Sequence, residues 1–114
     1  MTEELLSRPE KAASPTESTE HWTLVAHNDR VNRNWNDLIA SAPANVARWY
    51  DYLRTQPTTR YPGRVFPLKG KKYSGAWECE VTSGDRVFYV PDVTSRKVVV
   101  YYAGKHPDPA PVPP

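Results

Sequence analysis

Along residues 22–106 the spacing of apolar side chains changes twice, and each change predicts a kind of element. Trp22-Thr23-Leu24-Val25-Ala26 is a short run with β preference and reads as a first strand. Val31, Trp35, Leu38 and Ile39 then recur at i, i+4, i+7 and i+8, one stripe of an amphipathic helix, with Asn28 placed to cap it and Asp29 in its first turn. Val46, Trp49, Tyr50 and Leu53 repeat the pattern behind Pro43, which suits a first helical turn, and Pro57 follows the end. The short link between the stripes predicts an antiparallel helical hairpin.

After Gln56 the period falls to two. Arg64–Leu68 is a brief extended piece that Pro67 confines to an edge or to a near-strand segment. Trp77–Thr82 and Arg86–Val90 flank the turn sequence Ser83-Gly84-Asp85 and predict a hairpin. Pro91-Asp92 through Ser95 reads as the next turn, and Lys97–Ala103, the most apolar run, as a central strand buried on both faces. The expected fold class is α+β: strand, helix, helix, then three or four strands, a mainly antiparallel sheet packed against a helical hairpin.

The ends read differently. Residues 1–20 are rich in Glu, Ser, Thr and Pro around a lone Leu5-Leu6 pair, too little apolar surface to offset ordering, so disorder is expected. Residues 107–114 are proline at five of eight positions and are expected to form a disordered, extended, polyproline-like tail. The domain is therefore residues 21–106. Splitting the charge the same way is informative, because residues 1–20 hold two basic and five acidic side chains, leaving 13 basic against eight acidic in the other 94 residues. The domain is more basic than the overall +2 implies, which favours polyanionic partners.

Composition excludes several classes of chemistry. The single Cys79 rules out an internal disulfide framework and a cysteine-rich zinc site; placed between Trp77 and Val81, it reads as a small buried apolar residue. His21, His27 and His106 lack ligand spacing, so no metal is expected, and no phosphate loop, nucleophile elbow or other cofactor motif occurs. No apolar run reaches the roughly 18 residues needed to cross a bilayer, and the start lacks a signal-peptide layout, so a cytoplasmic location without membrane association is expected.

From Tyr52 to Trp77 the chain carries Arg54, Arg60, Arg64, Lys69, Lys71 and Lys72 with no acid, interleaved with Tyr61, Phe66, Tyr73 and Trp77. Cations neutralise phosphates and aromatic faces stack on unpaired bases, so Arg64, Lys69, Lys71, Lys72 and Tyr73 form a candidate RNA-binding set. The same cations would also serve to keep an edge strand from aggregating. Arg86 opens a strand, and Lys105 and His106 close another. A cation there would stabilise charge at a reacting phosphate and a histidine would exchange a proton near neutral pH. In the plainer alternative, Arg86 pairs with Asp85 or Glu80 at the surface and His106 is merely exposed. Glu78 and Glu80 share one strand face, which reads either as paired acid–base carboxylates or as a solvated face.

The order of these elements, with Leu68-Lys69-Gly70, then Trp77 through Gly84-Asp85-Arg86-Val87-Phe88-Tyr89, then Val98–Ala103 closing on Gly104-Lys105-His106, resembles the RelE/ParE superfamily of bacterial toxins over about residues 22–106. The resemblance implies a toxin of a type II toxin–antitoxin pair with a cognate antitoxin. RelE-like members cut mRNA on the ribosome without a metal, by attack of a ribose 2′-hydroxyl on the adjacent phosphate. ParE-like members poison DNA gyrase instead, and a relative that only binds a partner is a further alternative. Carried across, Arg86 matches the strand arginine at the scissile phosphate, Lys105 or His106 the closing basic position, and Lys69 the lysine of the Leu-Lys-Gly element. Two departures stand out. The strand that carries a lysine pair in RelE here reads Trp77-Glu78-Cys79-Glu80-Val81, and the C-terminal helix with its tyrosine gives way to Pro107–Pro114. Some family members use a His and a Glu instead. The acidic residues 1–20 are a candidate cis shield for the basic face.

Overall fold

The structure, a computed structural model, describes residues 3–9 and 21–114. Asn28 caps the first helix as its position predicts, its side-chain oxygen accepting from the Val31 N–H at 3.0 Å. The elements are β1 (Glu4–Leu5), β2 (Thr23–Ala26), α1 (Asp29–Ser41), α2 (Pro43–Thr55), β3 (Val65–Pro67), β4 (Trp77–Glu80), β5 (Asp85–Asp92) and β6 (Lys97–Lys105), with a 3-10 turn at Lys71–Tyr73. They build an α+β fold in which one six-stranded mixed sheet runs β1-β2-β6-β5-β4-β3. Only β2 and β6 pair in parallel; the other neighbours are antiparallel. Among the described residues no helix is long and apolar enough to cross a membrane.

Both helices lie on one sheet face. Their stripe residues Val31, Trp35, Leu38, Val46, Trp49 and Leu53 form a single core with Cys79, Val87, Tyr89, Val98, Val100 and Ala103. Burial pushes the Cys79 thiol far above its usual range, as expected of a packing residue rather than a nucleophile. The Tyr89 hydroxyl, deep in the same core, donates to the Pro57 carbonyl at 2.7 Å and ties the chain after α2 to the sheet. Both sheet edges are short, two residues in β1 and three in β3, and β3 ends on Pro67. That combination leaves little backbone open to unwanted pairing.

Three expectations about the strands and the N-terminus need correction. Pro91 and Asp92 belong to β5 rather than to the following turn. The β4 pairing ends at Trp77–Tyr89, so β5 has one neighbour there and the donor that proline lacks is not missed. β6 is central but not buried on both faces, since Val98 and Val100 are fully covered while Val99, Tyr101 and Tyr102 are half-buried. Residues 3–9 are not disordered. β2 presents a free edge, β1 pairs with it, and the Leu6 N–H donates to the Leu24 carbonyl at 3.0 Å.

Leu6 enters the core, the Trp35 indole donates to the Ser7 carbonyl at 2.8 Å, and Arg8 forks onto Asp51 of α2 with two contacts of 2.9 Å. A single well-placed leucine thus supplies the burial that the segment's composition seemed to lack. Leu6→Ala should cost about 2 kcal/mol in chemical denaturation, the low end of core leucine truncations because an edge segment can detach; a loss near zero would mean that the segment contributes nothing to stability. The rest of the expected disorder, residues 1, 2 and 10–20, lies outside the described residues.

The same docking sets a pH dependence. The Glu4 carboxyl is raised above its ordinary value, first by a side-chain hydrogen bond with Asp29, then by lost solvation and by repulsion from the Asp29 carboxylate, with Arg33 pulling the other way. An acid whose folded pKa is raised binds its proton more tightly when folded. Its stabilising contribution is therefore complete below the unfolded pKa and lost as pH rises through the folded value. Glu4→Gln keeps a donor toward Asp29 at every pH. Its melting temperature should exceed that of the wild type at pH 7, the two converging as pH falls into the carboxylate range; parallel curves would refute the assignment.

Candidate functional site

On the sheet face turned away from the helices, strand pairing places Glu78, Glu80, Arg86, Phe88 and Gly104 side by side. The hairpin turn between β4 and β5 is locked locally: Thr82 Oγ1 accepts from the Gly84 and Asp85 N–H groups at 3.2 and 3.0 Å and donates to Asp85 Oδ2 at 2.8 Å. Arg86 therefore leaves the turn in a fixed direction. Its Nε donates to Glu78 Oε2 at 3.2 Å, and a terminal nitrogen lies 3.3 Å from Glu80 Oε2. The other terminal nitrogen reaches the carbonyls of Thr82, Asp85 and Ser83 at 2.9, 3.1 and 3.3 Å.

The two glutamates are not a solvated face. The Glu78 residue is only 8% exposed, and the Arg86 side chain 15%. Nor does the Arg86 guanidinium pair with the Asp85 carboxylate; the contact there is to the Asp85 backbone. Burying carboxylates costs several kcal/mol unless each is paired and hydrogen-bonded, and Arg86 meets that requirement for both. At the two ends of the cluster the charges alternate. Arg64 Nε sits 3.7 Å from Glu80 Oε1, and His106 Nε2 sits 3.8 Å from Glu78 Oε2. The latter is an ion pair only when the imidazole carries a proton. A backbone bond from the His106 N–H to the Gly84 carbonyl, 2.9 Å, clamps the end of β6 to the hairpin turn and sets this approach.

The structure brings Arg86, His106 and Arg64 together through the two glutamates, but it separates Lys105 from them. Lys105 pairs with Asp85, one position out of phase with Arg86 and Gly104, and lines a cleft of about 390 Å³ with Asn34, Asp37 and Ser41 of α1. Of the two closing basic positions, His106 is thus the one beside the cluster. Lys69, Lys71 and Lys72 are exposed in the loop between β3 and β4. Gly70 occupies φ 109° at the head of the 3-10 turn, a conformation that favours glycine and explains its place in Leu68-Lys69-Gly70. The Lys72 ammonium rests 5.3 Å from the centre of the Tyr73 ring. Trp77, from the aromatic run read for RNA, instead faces the helices and stacks on Tyr89.

Two features of this face lie beyond what the sequence conveyed. A β-bulge interrupts the β5–β6 register, Phe88 pairing with Tyr102 but Tyr89 with Val100, so that Tyr101 has no partner. The rings of Tyr101 and Tyr102 consequently both pack on Phe88, at centroid distances of 6.3 and 5.7 Å. The proline-rich tail, expected to be disordered, lies against this face. The Tyr73 hydroxyl donates to the Ala110 carbonyl at 3.1 Å and the Tyr101 hydroxyl to the Pro111 carbonyl at 3.0 Å. A chain poor in backbone donors still offers carbonyls, and the two tyrosines take them. Residues 3–9, by contrast, dock at the β2 edge and on α2, away from Arg86, so the described part of the acidic N-terminus does not shield the cluster. Comparison with known protein families, curated proteins and solved structures finds none that matches this chain.

Proposed function

We propose that the chain is the toxin of a type II toxin–antitoxin pair, with a RelE-like domain that cuts mRNA on the ribosome and a cognate antitoxin that covers the same face. The observation that carries this reading is His106 set against a buried carboxylate, Glu78, that Arg86 holds in place beside an exposed lysine loop. Attack of a 2′-hydroxyl on the adjacent phosphate needs a group to move a proton and cations to hold developing negative charge. His106 serves as the acid or base, with the Glu78 carboxylate 3.8 Å from its Nε2 to balance a protonated imidazole. Arg86, with its nitrogens committed to two carboxylates and three carbonyls, acts as a positioning residue rather than at the phosphate. Lys69, Lys71, Lys72 and Arg64 then supply the cations that face RNA.

One observation favours a second reading, a non-catalytic binder such as a gyrase poison. The strand at the centre of the face carries two carboxylates and no free cation, which repels phosphate. Induced expression in a bacterial host with primer extension on an abundant mRNA separates the two. Codon-phased cuts support the nuclease, whereas growth arrest with intact mRNA and a DNA-damage response moves the assignment to gyrase. Absence of arrest leaves a partner-binding domain.

A further inference from the structure

We propose that the groove between Tyr73 and Tyr101 is a recognition site for proline-rich extended chain, and that residues 107–114 are its intramolecular ligand. This assignment does not depend on the RNA reading. Ala110 and Pro111 are consecutive, yet their carbonyls are taken by tyrosines from two different elements, the 3-10 turn and β6. Donors on two different elements that reach consecutive carbonyls hold the chain between them, as the two walls of a groove do. The tail is partly covered where the tyrosines hold it. Pro107, Ala110, Pro111 and Pro113 are half-buried, while Asp108, Pro109, Val112 and Pro114 are exposed.

The chemistry matches on both sides. Proline holds φ near its extended value before binding, so little entropy is lost on docking, and its residues offer carbonyl acceptors without competing N–H donors. Aromatic-lined grooves whose polar tips meet those carbonyls are a recurring way to read such chains. The Tyr101 hydroxyl is desolvated there, its pKa pushed up to about 12 chiefly by burial, with smaller contributions from Tyr73 and Glu78. The bulge at Tyr101 is what frees this ring from strand alternation to form one wall. Because the tail directly follows β6, its local concentration at the groove is on the order of millimolar, enough to outcompete a dilute external peptide.

The test uses the full chain in three forms: wild type, Tyr101→Phe, and a tail variant with Pro109, Pro111 and Pro113 each changed to Ser. Backbone 15N relaxation reads the order of Ala110 and Val112, and each form is titrated with a synthetic octapeptide of the sequence of residues 107–114. The wild type should show an ordered tail, and both variants a mobile one. The octapeptide should bind the tail variant with an apparent affinity about tenfold tighter than it shows for the wild type, whose own tail competes. Adding Tyr101→Phe to the tail variant should remove that binding. A tail that stays ordered without its prolines would overturn the proposal. So would a mobile wild-type tail, a released groove that ignores the peptide, or binding indifferent to the Tyr101 hydroxyl.

Discussion

Arg86→Ala should lower stability by about 3 kcal/mol, because removing one member of a buried charge pair leaves its partner uncompensated. The partner here is doubled: Glu78 and Glu80 would face each other on one strand, with Glu78 almost without solvent. The turn would also lose the donor to the carbonyls of Thr82, Ser83 and Asp85. For a domain of this size a loss of that magnitude lowers the melting temperature by about 15 °C. Adding Glu78→Gln to Arg86→Ala removes the stranded charge and should recover about 1–2 kcal/mol, a coupling that a double-mutant cycle measures directly. A melting temperature within a few degrees of wild type for the single variant would show that the cluster is solvated and that Arg86 is free for a ligand. The stability result also decides how activity data are read, since lost toxicity in an unstable Arg86 variant says nothing of chemistry.

For the nuclease proposed above, His106→Ala should do the opposite, lowering mRNA cleavage by about a thousandfold, within the range for removal of a general acid or base, while stability changes by no more than about 0.5 kcal/mol. The separation rests on position. The imidazole is 52% exposed, and the backbone bond from residue 106 to Gly84 survives truncation of the side chain. Glu78→Gln provides the second arm. Its amide oxygen can still accept from the Arg86 Nε, but it cannot balance the imidazolium, so cleavage should fall while the fold persists. The measurement is ribosome-dependent cleavage with purified protein, alongside thermal melts of each variant. Full cleavage by His106→Ala would remove the acid–base assignment and leave the non-catalytic reading in its place.

Much of the architecture is legible residue by residue. The helix stripes through Trp35 and Trp49, the cap at Asn28, the break at Pro57 and the hairpin turn at Ser83-Gly84-Asp85 each carry a local signal that tertiary contacts reinforce. Pro67 limits its segment to an edge or to a near-strand piece, and the sheet order makes β3 an edge strand. Proximity of Arg86 to the end of β6 could be expected once the last two strands are taken as a pair. The misreadings cluster where local composition and tertiary environment disagree. Residues 3–9 look too polar to order, yet a free strand edge and a slot for Leu6 hold them. Glu78 and Glu80 look solvated by type, yet the arginine that neutralises them arrives from the neighbouring strand.

The sequence by itself determined the two helices, the stripe each buries and the order of the strands around them from residue 22 on, because period, caps and turn residues act within a few positions of the chain. The hairpin reading already allowed Arg86 to pair with Glu80; the tertiary structure decided that it also holds Glu78 and that Glu78 lies almost without solvent. It alone placed His106 beside Glu78 and Lys105 against α1, by the phase in which β6 ends. It also decided that the proline tail has a site, since one unpaired residue in β6 turns Tyr101 toward a carbonyl ten residues further along. The bulge and the phase of β6 depend on the summed fit of two whole strands and what packs on them, which the turn and cap signals inside each strand do not set.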